Sequence, residues 1–421
     1  MLPYQTLISL TRGTATGLGQ QLTAAFIRLI QQGVLAAGAQ LPGTRTLSTL
    51  LAVHRQTIVA AFDELEAQGW IEQRPSKGAI VSRRIPEVQP LPLPTSPALL
   101  DSPRAGFSFT RSAVLAGAPQ ITLGKLTLDS GCPDARLAPL AALARKYRTI
   151  CRPTAPHRRP FGYTDANGPL TLRHQLVRYL HETRGVAVRP ETLFITRGSG
   201  MAMYLATQLV LQPGDVVVVG ERSYPEADRL FQYRGAQLAR VPVDANGLDV
   251  AAVEALCRRQ RVRLLYITPH HHYPTTVTLS AERRVRLLQL AEQYDFIILE
   301  DDYDFDYHYA SSPILPLASA DRNGRVLYVG SMSKVLAPAF RVGYLVGPPD
   351  LLEEIGFLRR LIDFQGDAVL EQSIAELMAE GELPAHLKRA RRHYQQRRDV
   401  FCDLLRQHLG EWFSFQEPAG G

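Results

Sequence analysis

The first 62 residues contain no aspartate and no glutamate. Arg12, Arg28, Arg45 and Arg55 all fall in that stretch, at the head of a 421-residue chain with net charge +7. A basic head on an otherwise mixed chain points to a polyanionic partner, with ordinary charge fluctuation as the plain alternative. Long apolar runs are missing too. No stretch reaches the roughly 18 apolar residues of a membrane span, so none is expected. The N-terminus lacks a charged start followed by an apolar core, so no signal peptide is expected. Cysteine is scarce, and Cys132, Cys151, Cys257 and Cys402 are scattered without metal-type spacing. That excludes a disulfide framework or a cysteine zinc site and suits a reducing cytoplasm. The length itself implies two or three domains.

What the head does contain is helical periodicity. Leu18, Leu22, Phe26, Leu29 and Ile30 share one face of a helix over residues 18–32. After the turn at residues 41–43, Thr44 can cap a short helix that runs through Leu51. A further helix follows residues 52–57 and stops at Gly69. Residues 70–72 and 79–82 can pair as short strands around Arg74-Pro75-Ser76-Lys77-Gly78. Three helices and a two-stranded wing make a winged helix-turn-helix, an α+β module. In such modules the second helix of the turn motif enters the major groove by its N-terminal residues. Here those are His54, Arg55, Gln56 and Thr57. Arginine pairs with guanine, glutamine can read adenine, and threonine can bind phosphate. Arg45 is placed to clamp phosphate, and Lys77 at the wing tip to reach phosphate or the minor groove. A three-helix protein-binding module is the alternative.

Pro86, Pro90, Pro92, Pro94, Pro97 and Pro103 crowd the next span, which reads as a semi-rigid extended linker. The expected division is a DNA-binding head at residues 1–84, a Pro-rich linker at 85–122 and an α/β domain at 123–421. In that last domain, apolar strand-like runs at residues 193–196, 216–219, 264–267, 296–299 and 326–329 alternate with amphipathic stretches such as 279–293. Unbroken apolar strands between helices imply a mainly parallel sheet covered on both faces.

Ligands of open α/β sheets bind beyond the carboxyl ends of strands, and the polar motifs sit there. Residues 331–341 read Ser-Met-Ser-Lys-Val-Leu-Ala-Pro-Ala-Phe-Arg. Lys334 suits a Schiff base to an aldehyde that carries a phosphate, with Ser331, Ser333 and Arg341 holding the dianion. A surface lysine after a strand is the alternative. Arg197-Gly198-Ser199-Gly200 opens a helix whose free N–H groups can cradle phosphate, or is a plain tight turn. In Glu300-Asp301-Asp302-Tyr303-Asp304, a carboxylate could pair a pyridinium nitrogen and the tyrosine a ring phenolate. A metal-binding acidic cluster or a solvated charge run is the alternative there. His270-His271-His272 suggests a metal, yet neighbours on an extended chain point in opposite directions, so at most two could share one ion. No metal site is expected, and His271 is expected to contact a cofactor instead. Tyr224, after the 216–219 run, could stack on a flat ring or pack on its own domain.

The head resembles the GntR-type winged helix over roughly residues 4–84, on residues 33–35, 41–47, 53–58 and 59–70. His54 stands where that family has serine, and the wing carries Pro75-Ser76-Lys77-Gly78 in place of a glycine-rich turn. Residues 125–421 resemble the fold-type I aminotransferase superfamily of pyridoxal phosphate proteins. The fusion of the two resembles the MocR-like regulators. The resemblance implies an internal aldimine at Lys334, Asp301 on the pyridine nitrogen, Tyr303 on the ring oxygen and Tyr224 stacked on the ring. It implies Ser199, Gly200, Ser331, Ser333 and Arg341 on the phosphate. It also implies that Tyr163, within Phe161-Gly162-Tyr163-Thr164-Asp165, reaches a partner subunit's phosphate in a head-to-tail dimer.

Two departures stand out. Thr276 replaces a usual glycine. The arginine that binds an effector carboxylate in the relatives' C-terminal part is not found, which suggests a shortened C-terminal subdomain or an effector held differently. The leading expectation is a cytoplasmic DNA-binding regulator that senses pyridoxal phosphate or an amino compound. Vitamin B6 synthesis and amino-compound metabolism are the targets the resemblance implies. A working aminotransferase with an appended DNA-binding domain is the alternative. A degenerate DNA-binding protein that has lost its ligand is the third reading.

Overall fold

The computed structural model describes residues 2–13, 16–74, 78–83, 105–115, 132–152, 161–309 and 314–420. The chain divides into two compact units, one ending at Phe109 and one beginning at Thr110. The head unit comprises α1 (Tyr4–Leu7), α2 (Leu18–Gln31), α3 (Thr44–Leu51), α4 (Arg55–Ala67), β1 (Ile71–Arg74) and β2 (Gly78–Val81). The wing strands pair antiparallel, Ile71 opposite Val81. Apolar residues at helical spacing, Leu22, Phe26, Leu29 and Ile30 of α2, meet Ile58, Phe62 and Leu65 of α4 in one buried core. The expected winged helix is therefore formed. Gly43, not Thr44, occupies the cap position of α3. The Thr44 hydroxyl instead accepts a hydrogen bond from Arg55 Nε at 3.4 Å. The wing tip with Lys77, and most of the expected Pro-rich linker, lie outside the described residues.

The body opens with α5 (Leu140–Ile150) and α6 (Leu170–Arg184), then alternates. In order come β3 (Leu193–Thr196), α7 (Ser199–Val210), β4 (Val216–Gly220), α8 (Pro225–Tyr233) and β5 (Gln237–Val241). The small ribbon β6 (Val243–Asp244) and β7 (Gly247–Leu248) precedes α9 (Val250–Cys257). Then follow β8 (Leu264–Ile267), α10 (Ala281–Tyr294), β9 (Ile297–Asp302), α11 (Leu317–Ala320), β10 (Val326–Ser331) and β11 (Gly343–Val346). Helices α12 (Pro349–Arg360), α13 (Ala368–Ala379) and α14 (Glu382–Leu409) complete it.

Seven strands form one sheet in the order β3-β11-β10-β9-β8-β4-β5. The sheet is parallel except at β11, which runs antiparallel to both β10 and β3. Successive side chains of a strand face opposite sides, and the core follows that rule. Val217 and Val219 pack with α7, α8 and α12 on one face. Val218 packs with α9 and α10 on the other. Both faces are thus covered, as the continuous apolar strands require. No helix among the described residues is long and apolar enough to cross a membrane.

Candidate functional site

The carboxyl ends of β3, β4, β8, β9 and β10 surround a cavity of about 860 Å³. Its wall includes Ser199, Gly200, Tyr224, Tyr303, Ser331, Ser333, Lys334 and Arg341, eight of the residues singled out from the sequence. Lys334 stands in the turn directly after β10, its Nζ over the Tyr303 ring, 5.0 Å from the ring centre. Its carbonyl accepts a hydrogen bond from the Tyr307 hydroxyl at 2.9 Å, which pins the turn. Ser331 Oγ accepts from the Ser333 backbone N–H at 3.1 Å, so the two hydroxyl residues fold toward each other.

Two glycines bring the anion-binding parts together. Gly198 has φ +77, and a Cβ there would lie 2.5 Å from Arg341 Nη2. Its absence lets the guanidinium rest on the turn that opens α7, where Nη2 donates to the Arg197 carbonyl at 3.2 Å. A Cβ at Gly343 would meet the Gly198 carbonyl carbon at 2.6 Å, so β11 also depends on that close approach. The N–H groups at the start of α7 and the Arg341 cation therefore lie side by side. Together they make a site for a dianion.

Asp301 lies beneath the cavity at 5% exposure. Its Oδ2 accepts from the Tyr266 hydroxyl at 2.9 Å. Its Oδ1 is buried and has no hydrogen-bond partner among the described residues. Burial, with Asp302 and Asp304 nearby, pushes the Asp301 carboxyl up to about 7 against the Tyr266 hydrogen bond. An isolated buried carboxylate is costly, and a cationic N–H delivered to Oδ1 would remove that cost. This orphaned oxygen is what a protonated pyridine ring would satisfy. Tyr224 meets Tyr273 edge-on at 5.4 Å between ring centres. Burial and the charges of Glu226 and Asp301 push its hydroxyl up to about 12, so it stays neutral. The Tyr303 hydroxyl donates to the His271 carbonyl at 3.0 Å, and burial raises its pKa well above the phenol range. Amine, dianion cradle, aromatic wall and unpaired carboxylate fit a phosphorylated pyridine aldehyde.

His271 departs from expectation. It is buried at 1% exposure, and its Nδ1 lies 2.9 Å from Asp304 Oδ2. Only its carbonyl, through Tyr303, bears on the cavity; the ring is turned into a histidine cluster because the chain bends at His270 and His271. Tyr163 is 87% exposed and touches Phe364, with ring centres 5.2 Å apart. It reaches no cavity of its own chain among those described. Thr276 has φ +61, the left-handed region where glycine is the unstrained choice.

Sequence reasoning missed Tyr266, Tyr273 and Arg184. Tyr266 is the single hydroxyl in the run Leu264-Leu265-Tyr266-Ile267, a signal that was there to be read. Arg184 closes α6 and donates to Asp302 Oδ2 at 3.1 Å, the Tyr328 hydroxyl at 2.9 Å and Asp306 Oδ2 at 2.8 Å. In the head unit, Arg45, Arg55 and Gln56 are exposed and Thr57 half-buried at the start of α3 and α4. His54 caps α4, its Nδ1 accepting from the Gln56 N–H at 3.3 Å.

Fold and cavity define a DNA-binding transcriptional regulator whose body has the aminotransferase architecture. Residues 18–81 match the gntR family of bacterial regulatory proteins, and residues 125–421 match aminotransferase class I and II. The chain is 29% identical to the probable rhizopine catabolism regulatory protein MocR of Rhizobium meliloti, over 99% of its own length and 82% of that protein's. It is 31% identical to the HTH-type transcriptional regulator TauR of Rhodobacter capsulatus, over 90% of its own length and 78% of that protein's. The chain belongs to the MocR-like group of GntR regulators. Among solved structures it is similar to the kynurenine aminotransferase of Pyrococcus horikoshii in complex with PMP. That likeness has a TM-score of 0.66 and 29% identity over 70% of this chain and 73% of that one.

Proposed function

We propose that this regulator binds pyridoxal 5'-phosphate at Lys334, and that the cofactor, or an amino compound competing for it, sets its affinity for DNA. The observation that carries the reading is the set of groups at one cavity: the Lys334 amine and the Arg341 and α7 dianion cradle on its wall, and the unpaired Oδ1 of Asp301 beneath it, behind the wall residue Tyr266. Bound, the cofactor supplies an aldehyde carbon for an amine and an electron-withdrawing ring. The chain's own residues do the rest. Ser199, Gly200, Ser331, Ser333 and Arg341 hold the phosphate. Asp301 orients the ring through its nitrogen, Tyr303 turns its hydroxyl from the His271 carbonyl to the ring oxygen, and Tyr224 closes over its face. A head-to-tail homodimer is part of the proposal, with Tyr163 reaching the partner's phosphate. The exposed Phe161, Tyr163, Leu361, Ile362 and Phe364 support an interface there. The protein acts in the cytoplasm on double-stranded DNA.

The buried carboxyl gives the proposal a pH signature. The Asp301 pKa is raised in the folded chain, to about 7 from an ordinary value near 4. As pH rises through that window the unfolded chain loses the proton first, so stability without cofactor falls, by on the order of 4 kcal/mol from this group. Asp301→Asn removes that loss. The variant is expected to be more stable than wild type above pH 7 without cofactor, and to bind cofactor more weakly. Denaturation at pH 5 and pH 8 with and without pyridoxal phosphate measures both. Equal pH dependence in the two chains would contradict the role given to Asp301.

On the DNA side, Arg55→Ala is expected to cost about 1–3 kcal/mol on a selected operator and to relax the preference at one base pair. Arg45→Ala is expected to weaken all sequences alike and to reduce the salt slope by about 1. Fluorescence anisotropy across salt concentrations separates the two, and a uniform loss for Arg55→Ala would rule out base reading by that residue. A second reading, a working aminotransferase, is favoured by the likeness to the Pyrococcus horikoshii enzyme. Release of keto acid from added amino acids at rates typical of enzymes, about 1 per second or faster, would support it.

A further inference from the structure

Three histidines gather beside the cavity but outside it. His270, His271 and His308 each place a ring nitrogen within 4.8 Å of the other two. We propose that these imidazoles bind a divalent transition-metal ion of the zinc type.

The sequence argument against a metal assumed an extended chain. The chain instead bends at His270 and His271, so their rings lie on one side, with centres 4.3 Å apart. His272 turns away, its Nδ1 2.9 Å from Thr275 Oγ1. The third ring comes from His308, just past the short helical turn Phe305–Tyr307 that follows β9. Two of the three consecutive histidines thus share the site, and the third ligand arrives from elsewhere.

The distances suit an ion. His271 Nε2 and His308 Nδ1 are 3.3 Å apart. Tetrahedral zinc with bonds of about 2.0–2.1 Å separates its nitrogen ligands by about 3.3–3.4 Å. Both ring nitrogens of His270 are buried without a hydrogen-bond partner among the described residues, an arrangement that costs stability unless something fills it. Asp304 Oδ2 lies 2.9 Å from His271 Nδ1 without hydrogen-bond alignment, and His271 Nε2 shares a hydrogen bond with His308 Nδ1 that a bound ion would replace. A carboxylate behind a ligating histidine is the usual second layer of zinc sites.

Charge and space agree. Asp304 is buried, and its Oδ1 is unpartnered among the described residues. Of the cations nearby, Arg184 is held by Asp302 and Asp306 and Arg284 by the carbonyls of Pro269, Leu279 and Leu315, while Arg391 also faces His308. A Cβ at Gly420 would collide with the His271 ring and the Tyr307 carbonyl, so only glycine lets the chain pack this closely on that ring. His308 is half-buried, which gives an ion access from solvent. The ion would join the end of β8, the segment after β9 and residues 419–420, which pair with His308 and Tyr309. Three nitrogen ligands leave one position open for water or an added ligand.

Untagged full-length protein, stripped with a chelator and titrated with Zn²⁺, is expected to retain one ion per chain by mass spectrometric metal analysis. His308→Ala and His270→Ala are each expected to weaken binding by on the order of 100-fold or more, and Asp304→Asn by about 10- to 100-fold. Co²⁺ is expected to give a tetrahedral d–d spectrum without thiolate charge-transfer bands. His308 is half-buried, so His308→Ala tests the site even where His270→Ala disturbs folding. Binding that survives His308→Ala, binding lost instead in Cys132→Ser/Cys151→Ser, or no binding at tens of micromolar Zn²⁺ would each overturn the proposal.

Discussion

Lys334→Ala is expected to abolish covalent retention of pyridoxal phosphate. Wild type passed through gel filtration should keep a near-visible absorption band, and borohydride should fix the cofactor on one peptide. The chain has five lysines, and among the described ones Lys334 alone lines the cavity, so the mass shift should map to the peptide carrying it. The variant should show neither band nor mass shift. Its dianion cradle remains, because Ser199 and Arg341 do not depend on the lysine for position: Arg341 rests on the Gly198 turn and donates to the Arg197 carbonyl. Loose, reversible binding of pyridoxal phosphate by the variant is therefore expected. A band of equal strength in the variant would mean that another amine holds the cofactor.

Arg184→Ala is expected to be the most destabilising single change in the body, by about 3–5 kcal/mol. The guanidinium is 3% exposed and lies over the Phe305 ring at 4.5 Å. Its removal leaves Asp302 and Asp306 as buried charges without their cation. Tyr328 also donates its hydroxyl to Asp302, which does not replace the lost charge. Burial already raises the Asp302 pKa, and loss of Arg184 would raise it further, because that cation is the main influence holding it down. Acidification should then restore part of the variant's stability, since protonated aspartates no longer need the cation. Urea denaturation at pH 5 and pH 8 reads this out. A variant equally destabilised at both would show that packing, not charge, dominates. Asp301 and Asp302 are neighbours on β9 and point to opposite faces, so Arg184 holds Asp302 while Tyr266 holds Asp301.

These positions also show what the sequence could and could not reveal. The five expected strands are all present, because unbroken runs such as Val216-Val217-Val218-Val219 have few other ways to bury themselves. Motifs at their carboxyl ends gave eight cavity residues, because a parallel sheet places those ends along one edge. Strand β5 was not legible: Gln237-Leu238-Ala239-Arg240-Val241 is the sheet's edge and is only partly buried. Strand β11 was hidden behind the lysine loop, its antiparallel direction set by a turn that periodicity does not encode. Pairings such as Arg184 with Asp302, or Tyr266 with Asp301, join residues far apart in sequence and leave no local pattern. His271 was misjudged because its direction depends on a bend, not on strand alternation.

The central claim is that the state of Lys334 governs the affinity of the head for DNA. The direct measurement is anisotropy on an operator selected from random DNA by the full chain, with and without pyridoxal phosphate, for wild type and Lys334→Ala. The account predicts that cofactor changes the affinity of wild type and leaves that of Lys334→Ala unchanged. An affinity that is the same in all four conditions would contradict it.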